Sequence, residues 1–219
     1  MRIRFVCQGA LTSYLKQPEP TIADLTIFGF NAVGEVSYEK ELKGETCFFE
    51  ELATLTKKDG GVAVCGCVTN SLGHKRRSAV VAENGRLLGV SDMLHVIDGE
   101  LGSGALLRVY DTKIGKIGVA VADDLRFPDV IKALAVCGSD IIVCPNGIVS
   151  SIHTALLRAH AYCFGVPLLL CADGYAAIAN PDGALALATP QSPQTVEIAV
   201  RKEYHLVETR LRFSRGAPQ

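Results

Sequence analysis

Apolar runs of four to eight residues, cut by glycine, proline or clustered charge, recur along most of the chain and predict a strand-rich α/β domain. RIRFVC (residues 2–7) predicts a first strand and ADLTIFGF (23–30) a second, while Pro18 and Pro20 between them exclude a long helix. From Cys47 to Lys58 the apolar residues Phe48, Phe49, Leu52, Ala53 and Leu55 fall at helical spacing, and KKDGG adds a basic last turn and a glycine stop. VAVCGCV (62–68) predicts a strand. In SAVVAENGRLLGV (78–90), Asn84-Gly85 between two apolar runs predicts a hairpin. A second hairpin-like pair spans 105–122, turning near Asp111 to Gly115.

The second half alternates helix and strand more regularly. FPDVIKALAVCG predicts a helix with Pro128 in its first turn and Gly138 as its stop, leading into a buried strand DIIVCP (140–145). SSIHTALLRAHAYCFG predicts another helix, over 150–164, with Ser150 or Ser151 as N-cap and Gly165 at its end. VPLLLCA, a hairpin around NPDG (180–183) and a last strand TVEIAV follow. Strands joined partly by hairpins and partly by helices predict mixed sheets with helices packed outside.

With 219 residues, 48% of them hydrophobic, the chain can build one sizeable core, so a single domain over 1–219 is expected. Lys and Arg number 22 against 23 Asp and Glu, so no global field favours nucleic acid or an anionic membrane. The short basic cluster HKRRS (74–78), read as a loop, is too small to change that. MRIRFVCQGAL lacks the apolar length and cleavage site of a signal peptide, and no run approaches the ~20 apolar residues that span a bilayer.

Eight cysteines would suggest disulfides in a small secreted chain. Here Cys65, Cys67, Cys137, Cys144 and Cys171 sit inside apolar runs, where thiols behave as small hydrophobes, and a reducing cytoplasm is the expected setting. Cys65 and Cys67 share one strand face, but no second ligand pair follows at zinc spacing, so neither a metal nor a cofactor is expected. His153 and His160, seven apart on one helix with no third ligand, read as surface or interface histidines.

Four segments in order resemble the nitrilase, or carbon-nitrogen hydrolase, superfamily. KIGVAVADDLRFPDVIKALAVCGSDIIVCP (116–145) looks like that family's strand, nucleophile turn, helix and next strand. AVVAENGRLLGVSDMLHV (79–96) is similar to its hairpin and lysine segment, RAHAY (158–162) falls where it carries an Arg-Ala-Arg-Ala helix, and ADLTIFGF lies where its glutamate strand lies. The resemblance implies an α-β-β-α sandwich of two mixed sheets with outer helices. It also implies a homodimer through helices 128–138 and 150–164, and another protein partner is an alternative.

Members of that family attack nonpeptide carbon-nitrogen bonds with a Cys nucleophile, a Glu that moves protons and a Lys that holds the oxyanion. The resemblance puts the cysteine position on Ala122, the lysine position on Met93 and the glutamate position on Phe30. None of these side chains carries the required group. Apolar residues at all three positions are mutually consistent, since a lone charge left in a dry site would cost several kcal/mol. The expected protein is therefore catalytically inactive, acting by binding or as a scaffold or regulatory subunit. The alternatives are an amidase-like hydrolase using other residues, or a small-molecule sensor using the old pocket.

Six residues remain as pocket candidates. Glu100, in DGELGSG, is similar in placement to a fourth acidic residue of the family and otherwise reads as a solvated loop carboxylate. Asp123 and Asp124 are a pair of carboxylates after the nucleophile position, although Asp124 and Arg126 more simply fix the turn. Cys144 is the thiol with an approach to the old pocket, and His95 its conceivable base, against a reading as an inert buried thiol. The short, proline-interrupted segment after the first strand leads us to expect the family's first crossover helix to be missing, and the part after NPDG to be trimmed. Lost helix cover would expose sheet and invite a partner.

Overall fold

Two sheets form face to face because their strands carry apolar side chains on the inner faces, in a computed structural model that describes residues 1–16, 22–97, 99 and 101–203. The first sheet is built from β1 (Arg2–Val6), β2 (Leu25–Phe28), β3 (Glu35–Ser37), β4 (Val62–Ser71), β5 (His74–Glu83), β6 (Arg86–Asp92) and β13 (Gln194–Glu197). Its order is β13-β1-β2-β4-β5-β6; β1, β2 and β4 run parallel, and β13, β5 and β6 pair antiparallel. The second sheet contains β7 (Val109–Thr112), β8 (Gly115–Val119), β9 (Ile141–Pro145), β10 (Leu168–Ala172), β11 (Tyr175–Ala179) and β12 (Leu185–Thr189), in the order β12-β11-β10-β9-β8-β7. Here β8, β9 and β10 are parallel and the outer pairs antiparallel.

Between the sheets lie Ile3, Phe5, Ile27, Val64, Val81 and, from the opposite side, Ile117, Val143, Leu169 and Ile178. The outer face of the second sheet is covered by α4 (Pro128–Val136) and α5 (Ser151–Phe164), whose Ile131, Leu134 and Leu157 pack on Ile142, Leu168 and Leu170. On the first sheet, α1 (Leu11–Leu15) and α3 (Phe48–Asp59) press Leu11, Leu52 and Leu55 against Val6, Phe28, Ala63 and Val80. Alternation along β1 makes the division explicit, since Phe5 faces inward and Val6 outward. The α-β-β-α layering expected from the sequence is the observed architecture.

Local chemistry accounts for the element ends. Asn84 and Gly85 both take positive φ (50° and 76°), as the two-residue turn between β5 and β6 requires. Ser150 and His153 form a reciprocal capping box at the start of α5, and Gly165 closes it in the left-handed conformation.

Several expectations need correction. The crossover after β1 is not bare, because the five-residue α1 stands there; residues 17–21, with Pro18 and Pro20, lie outside the described residues. HKRRS is not a loop but the start of β5, paired residue for residue with the end of β4 through Ser71↔His74 to Cys67↔Ser78. Cys137 is exposed at the end of α4 rather than packed. Cys65 and Cys67 do share a face, in the core beneath α3. The short β3 and α2 (Tyr38–Leu42) had no counterpart among the predicted elements.

His153 and His160 are buried rather than on the surface. His160 Nε2 lies 3.0 Å from the Leu125 carbonyl, and the His153 ring accepts the Ser150 N–H at 3.0 Å. Burial lowers the pKa of both imidazoles from the ordinary value. Below an unfolded pKa of about 6.5 the unfolded chain therefore takes up protons that the folded chain resists, so stability present above that pH falls as pH drops through the depressed folded values. Thermal midpoints recorded between about pH 7 and pH 5 are expected to decline, and His160→Gln is expected to flatten the decline.

Candidate functional site

Ala122, Met93 and Phe30 come from three separated segments, and the fold buries all three between the sheets. All three belong to the core between the sheets, with exposures of 1%, 1% and 8%. Each arrives by a different local device.

Ala122 opens a 3-10 turn (Ala122–Arg126) just beyond β8 and takes φ 49°, a left-handed conformation that an L residue other than glycine, Asn or Asp seldom adopts. The turn is held by Asp124 N–H donating to the Val121 carbonyl (3.0 Å) and by the buried Asn146 amide donating to the Ala122 carbonyl (3.2 Å). Met93 follows β6 directly; its N–H donates to the Arg77 carbonyl (2.8 Å) and its carbonyl accepts from Gly104 (2.7 Å).

Asp124 joins these two segments. Its buried carboxylate accepts the Leu94 N–H at 3.1 Å and the His95 N–H at 3.0 Å, and its Oδ1 lies 3.3 Å from His95 Nδ1. Burial raises the Asp124 pKa from the usual carboxylate value, opposed by those bonds. The His95 ring stacks on Phe127, centroids 4.0 Å apart, which fixes it over the start of α4. Asp124 is thus a structural clamp whose side chain ties its turn to the Leu94–His95 segment.

Phe30 reaches the site because the chain leaves β4 and returns to it. β2 pairs with β4 through Phe28↔Cys65, a 3-10 turn covers Phe30–Ala32, and β3 rejoins β4 at Glu35↔Val68. Gly66 lies in the interval, and a Cβ there would sit 2.7 Å from the Phe30 ring. The absent side chain of Gly66 is what makes room for the phenyl group.

Asp123 is held between two guanidinium groups, Arg77 Nη1 at 3.1 Å and Arg126 Nε at 3.3 Å. Arg126 is accordingly a partner of Asp123, and Arg77 and Asn146 are site residues that sequence reasoning missed. Cys144 requires a correction: it packs with Leu125, Leu157 and Leu170 on the helix side of the second sheet, not on the face that carries Ala122. Burial raises its pKa well above the ordinary thiol value, and no approach to the inter-sheet site exists from that face. Glu100 lies outside the described residues. Among the described residues, no cluster of three or more His, Cys, Asp and Glu side chains could hold a metal ion, and no helix is long and apolar enough to cross a membrane.

Asp173, another residue not foreseen, accepts the Asn31 N–H at 3.1 Å, and its Oδ1 lies 2.8 Å from where a Cβ on Gly29 would be. It lines a cleft of about 450 Å³ with Ile148, Ser150, Thr154 and Tyr175. That cleft and the two other described ones, around Arg158 and around Arg201, are not lined by Phe30, Met93 or Ala122.

Comparison with known proteins places this geometry. Solved structures similar in fold include Saccharomyces cerevisiae Nit3, a member of branch 10 of the nitrilase superfamily (TM-score 0.74, 16% identity, 100% of this chain and 96% of that one). A mutant of the amidase from Nesterenkonia sp. AN1, carrying acrylamide added at its active-site cysteine, aligns with TM-score 0.76 and 17% identity over 98% of both chains. In sequence, the chain is 29% identical to the citrullinase of Francisella tularensis subsp. tularensis over 123 residues, 48% of this chain and 42% of that protein. It is 26% identical to the N-carbamoylputrescine amidase of Solanum tuberosum over 162 residues, 58% and 54% of the two. The matches thus span about half the length of these curated relatives. The model of the carbon-nitrogen hydrolase family matches residues 22–204, most of the sequence, and on that match the chain belongs to the carbon-nitrogen hydrolase family.

Proposed function

We propose that this chain is a non-catalytic member of its family that acts by binding another protein copy or partner. One observation carries the reading. The three positions that resemble the family's Glu, Lys and Cys hold Phe30, Met93 and Ala122, and all three side chains are buried in the core between the sheets. Hydrolysis of an amide needs a nucleophile, a proton carrier and an oxyanion donor, and a phenyl ring, a thioether and a methyl group supply none of them. The ring of Phe30 lying on Gly66 also weighs against a sensor that would use an open former pocket.

The binding surface is the outer face of α4 and α5, where Val136, Ile152 and Tyr162 are exposed. Self-association through these helices is the simplest form of the proposal, and sedimentation reading a monomer at all concentrations would remove it. Eight cysteines that are all free thiols fit a reducing, cytoplasmic setting.

A second reading, an amidase-like hydrolase, draws on the named activities of the relatives and on the polar groups beside Ala122. Asp123 is engaged by Arg77 and Arg126, and Asp124 by two backbone N–H groups, so either would have to leave those partners to act on a substrate. Ammonia release from a panel of simple amides, N-carbamoyl amines and nitriles distinguishes the two. The expected result is no turnover above the uncatalysed rate. Turnover that disappears in Asp123→Asn would establish the hydrolase instead.

A further inference from the structure

The inter-sheet core that contains Phe30, Met93 and Ala122 also holds a pair of thiols. Cys7, directly after β1 in the first sheet, and Cys171, on β10 in the second, bring their sulfurs to 3.9 Å. The backbones are tied on both sides of the pair. Gly174 N–H donates to the Cys7 carbonyl at 2.9 Å, and Asn146 N–H donates to the Cys171 carbonyl at 2.8 Å.

The two thiols differ in a way that assigns them roles. Cys171 is wholly enclosed, and its S–H has the Ile27 carbonyl (3.4 Å), the Val6 carbonyl (3.9 Å) and the Cys7 sulfur as acceptors. The hydrogen bond from Cys171 holds the Cys7 thiol below its ordinary pKa, against burial and the nearby Asp173, whereas burial pushes Cys171 well above. Of the two, Cys7 is the more readily ionised. That side chain is 2% exposed, but the next two residues, Gln8 and Gly9, are exposed, so a small local opening suffices to admit a small oxidant.

We propose that Cys7 and Cys171 form a modification site for hydrogen peroxide, at which oxidation joins the two sheets by a disulfide. The Cys7 sulfur attacks one peroxide oxygen and breaks the O–O bond, giving a sulfenic acid and, after proton uptake, water. The Cys171 sulfur then attacks the Cys7 sulfur, and the displaced hydroxide leaves as water with the Cys171 proton. Two thiols lose two electrons and one peroxide becomes two waters. Bond formation brings the sulfurs from 3.9 Å to about 2.05 Å, a movement shared by two side chains.

The link would close a loop across 164 positions of sequence, a strong constraint on the unfolded chain. Such a link would also pin the sheets together in the core that contains Ala122 and Phe30.

The test treats the intact native chain with graded hydrogen peroxide, alkylates the remaining thiols, and maps the non-reduced digest by mass spectrometry. The expected product is a peptide pair containing residues 7 and 171, two hydrogens lighter than the free peptides and separated by dithiothreitol. Cys65, Cys67 and Cys144 are expected to stay alkylatable only after denaturation. The oxidised chain is expected to melt several degrees higher than the reduced one. In Cys171→Ser, Cys7 is expected to stop at a sulfenic acid that dimedone captures. The proposal is overturned if both thiols remain reduced while the exposed Cys47 and Cys137 oxidise, or if Cys7 pairs with another cysteine.

Discussion

Phe30→Ala is expected to lower folding stability by about 3–5 kcal/mol, the range for a phenyl group removed from a packed core. The loss comes from the transfer of the ring to water and from the void it leaves between Gly66 of β4 and the inner faces of both sheets. Urea unfolding reads it as a lower midpoint at unchanged slope. Gly66→Ala alone places a methyl group 2.7 Å from the ring and is expected to cost about 1–3 kcal/mol by overpacking. Combined with Phe30→Ala that penalty should vanish, so the double mutant should be more stable than the sum of the single changes. A loss below 1 kcal/mol for Phe30→Ala would mean that the ring is not packed, and the closed site on which the non-catalytic reading rests would fail with it.

Asp124→Ala is the second large effect, about 2–4 kcal/mol. The carboxylate is almost fully enclosed and satisfies the N–H groups of Leu94 and His95, which its removal leaves partly buried without their acceptor. Because those N–H groups carry the segment of Met93, the damage should be local as well as global. Hydrogen exchange at the Leu94 and His95 amides should accelerate more than exchange in β8 or β9. The pH dependence has a definite sign. Since burial raises the folded pKa of Asp124, the folded state binds its proton more readily than the unfolded state does. The stability associated with this group is therefore greatest below about pH 3.9 and declines as pH rises through the raised folded value. Asp124→Asn should remove that decline, although its amide hydrogens face donors and cost stability at every pH.

The geometry of the turn at Ala122 is held by several side chains. Ala122 keeps a left-handed φ that costs of order 1–2 kcal/mol for a residue with a Cβ, yet presents only a methyl group there. Asn146, Asp124 and the Asp123 pairs with Arg77 and Arg126 hold the conformation in place.

Local signals made much of the fold legible. Asn84-Gly85, Pro128, Ser150 and Gly165 act through their own backbone preferences, so the β5–β6 hairpin and the limits of α4 and α5 follow from a few residues each. The start of β5 escaped because HKRRS is polar on every residue; of its side chains only Ser78 is buried, and the strand conformation of the rest comes from ladder bonds to the end of β4. Cys144 was placed on the wrong face for a related reason. β9 is buried on both sides, so IIVCP shows no alternation from which inward and outward residues could be told apart.

The candidate site divides in the same way. By itself the sequence determined that Phe30, Met93 and Ala122 stand at the three positions the family resemblance assigns, because chemical identity needs no fold. Only the tertiary structure decided that Phe30, Met93 and Ala122 share one core, that Gly66 yields its space to a ring, that Asp124 clamps two segments together, and that Cys7 faces Cys171. Those relations join residues far apart in the chain, set by the register of strands and the pairing of two sheets, and no local pattern of apolar and polar residues encodes them.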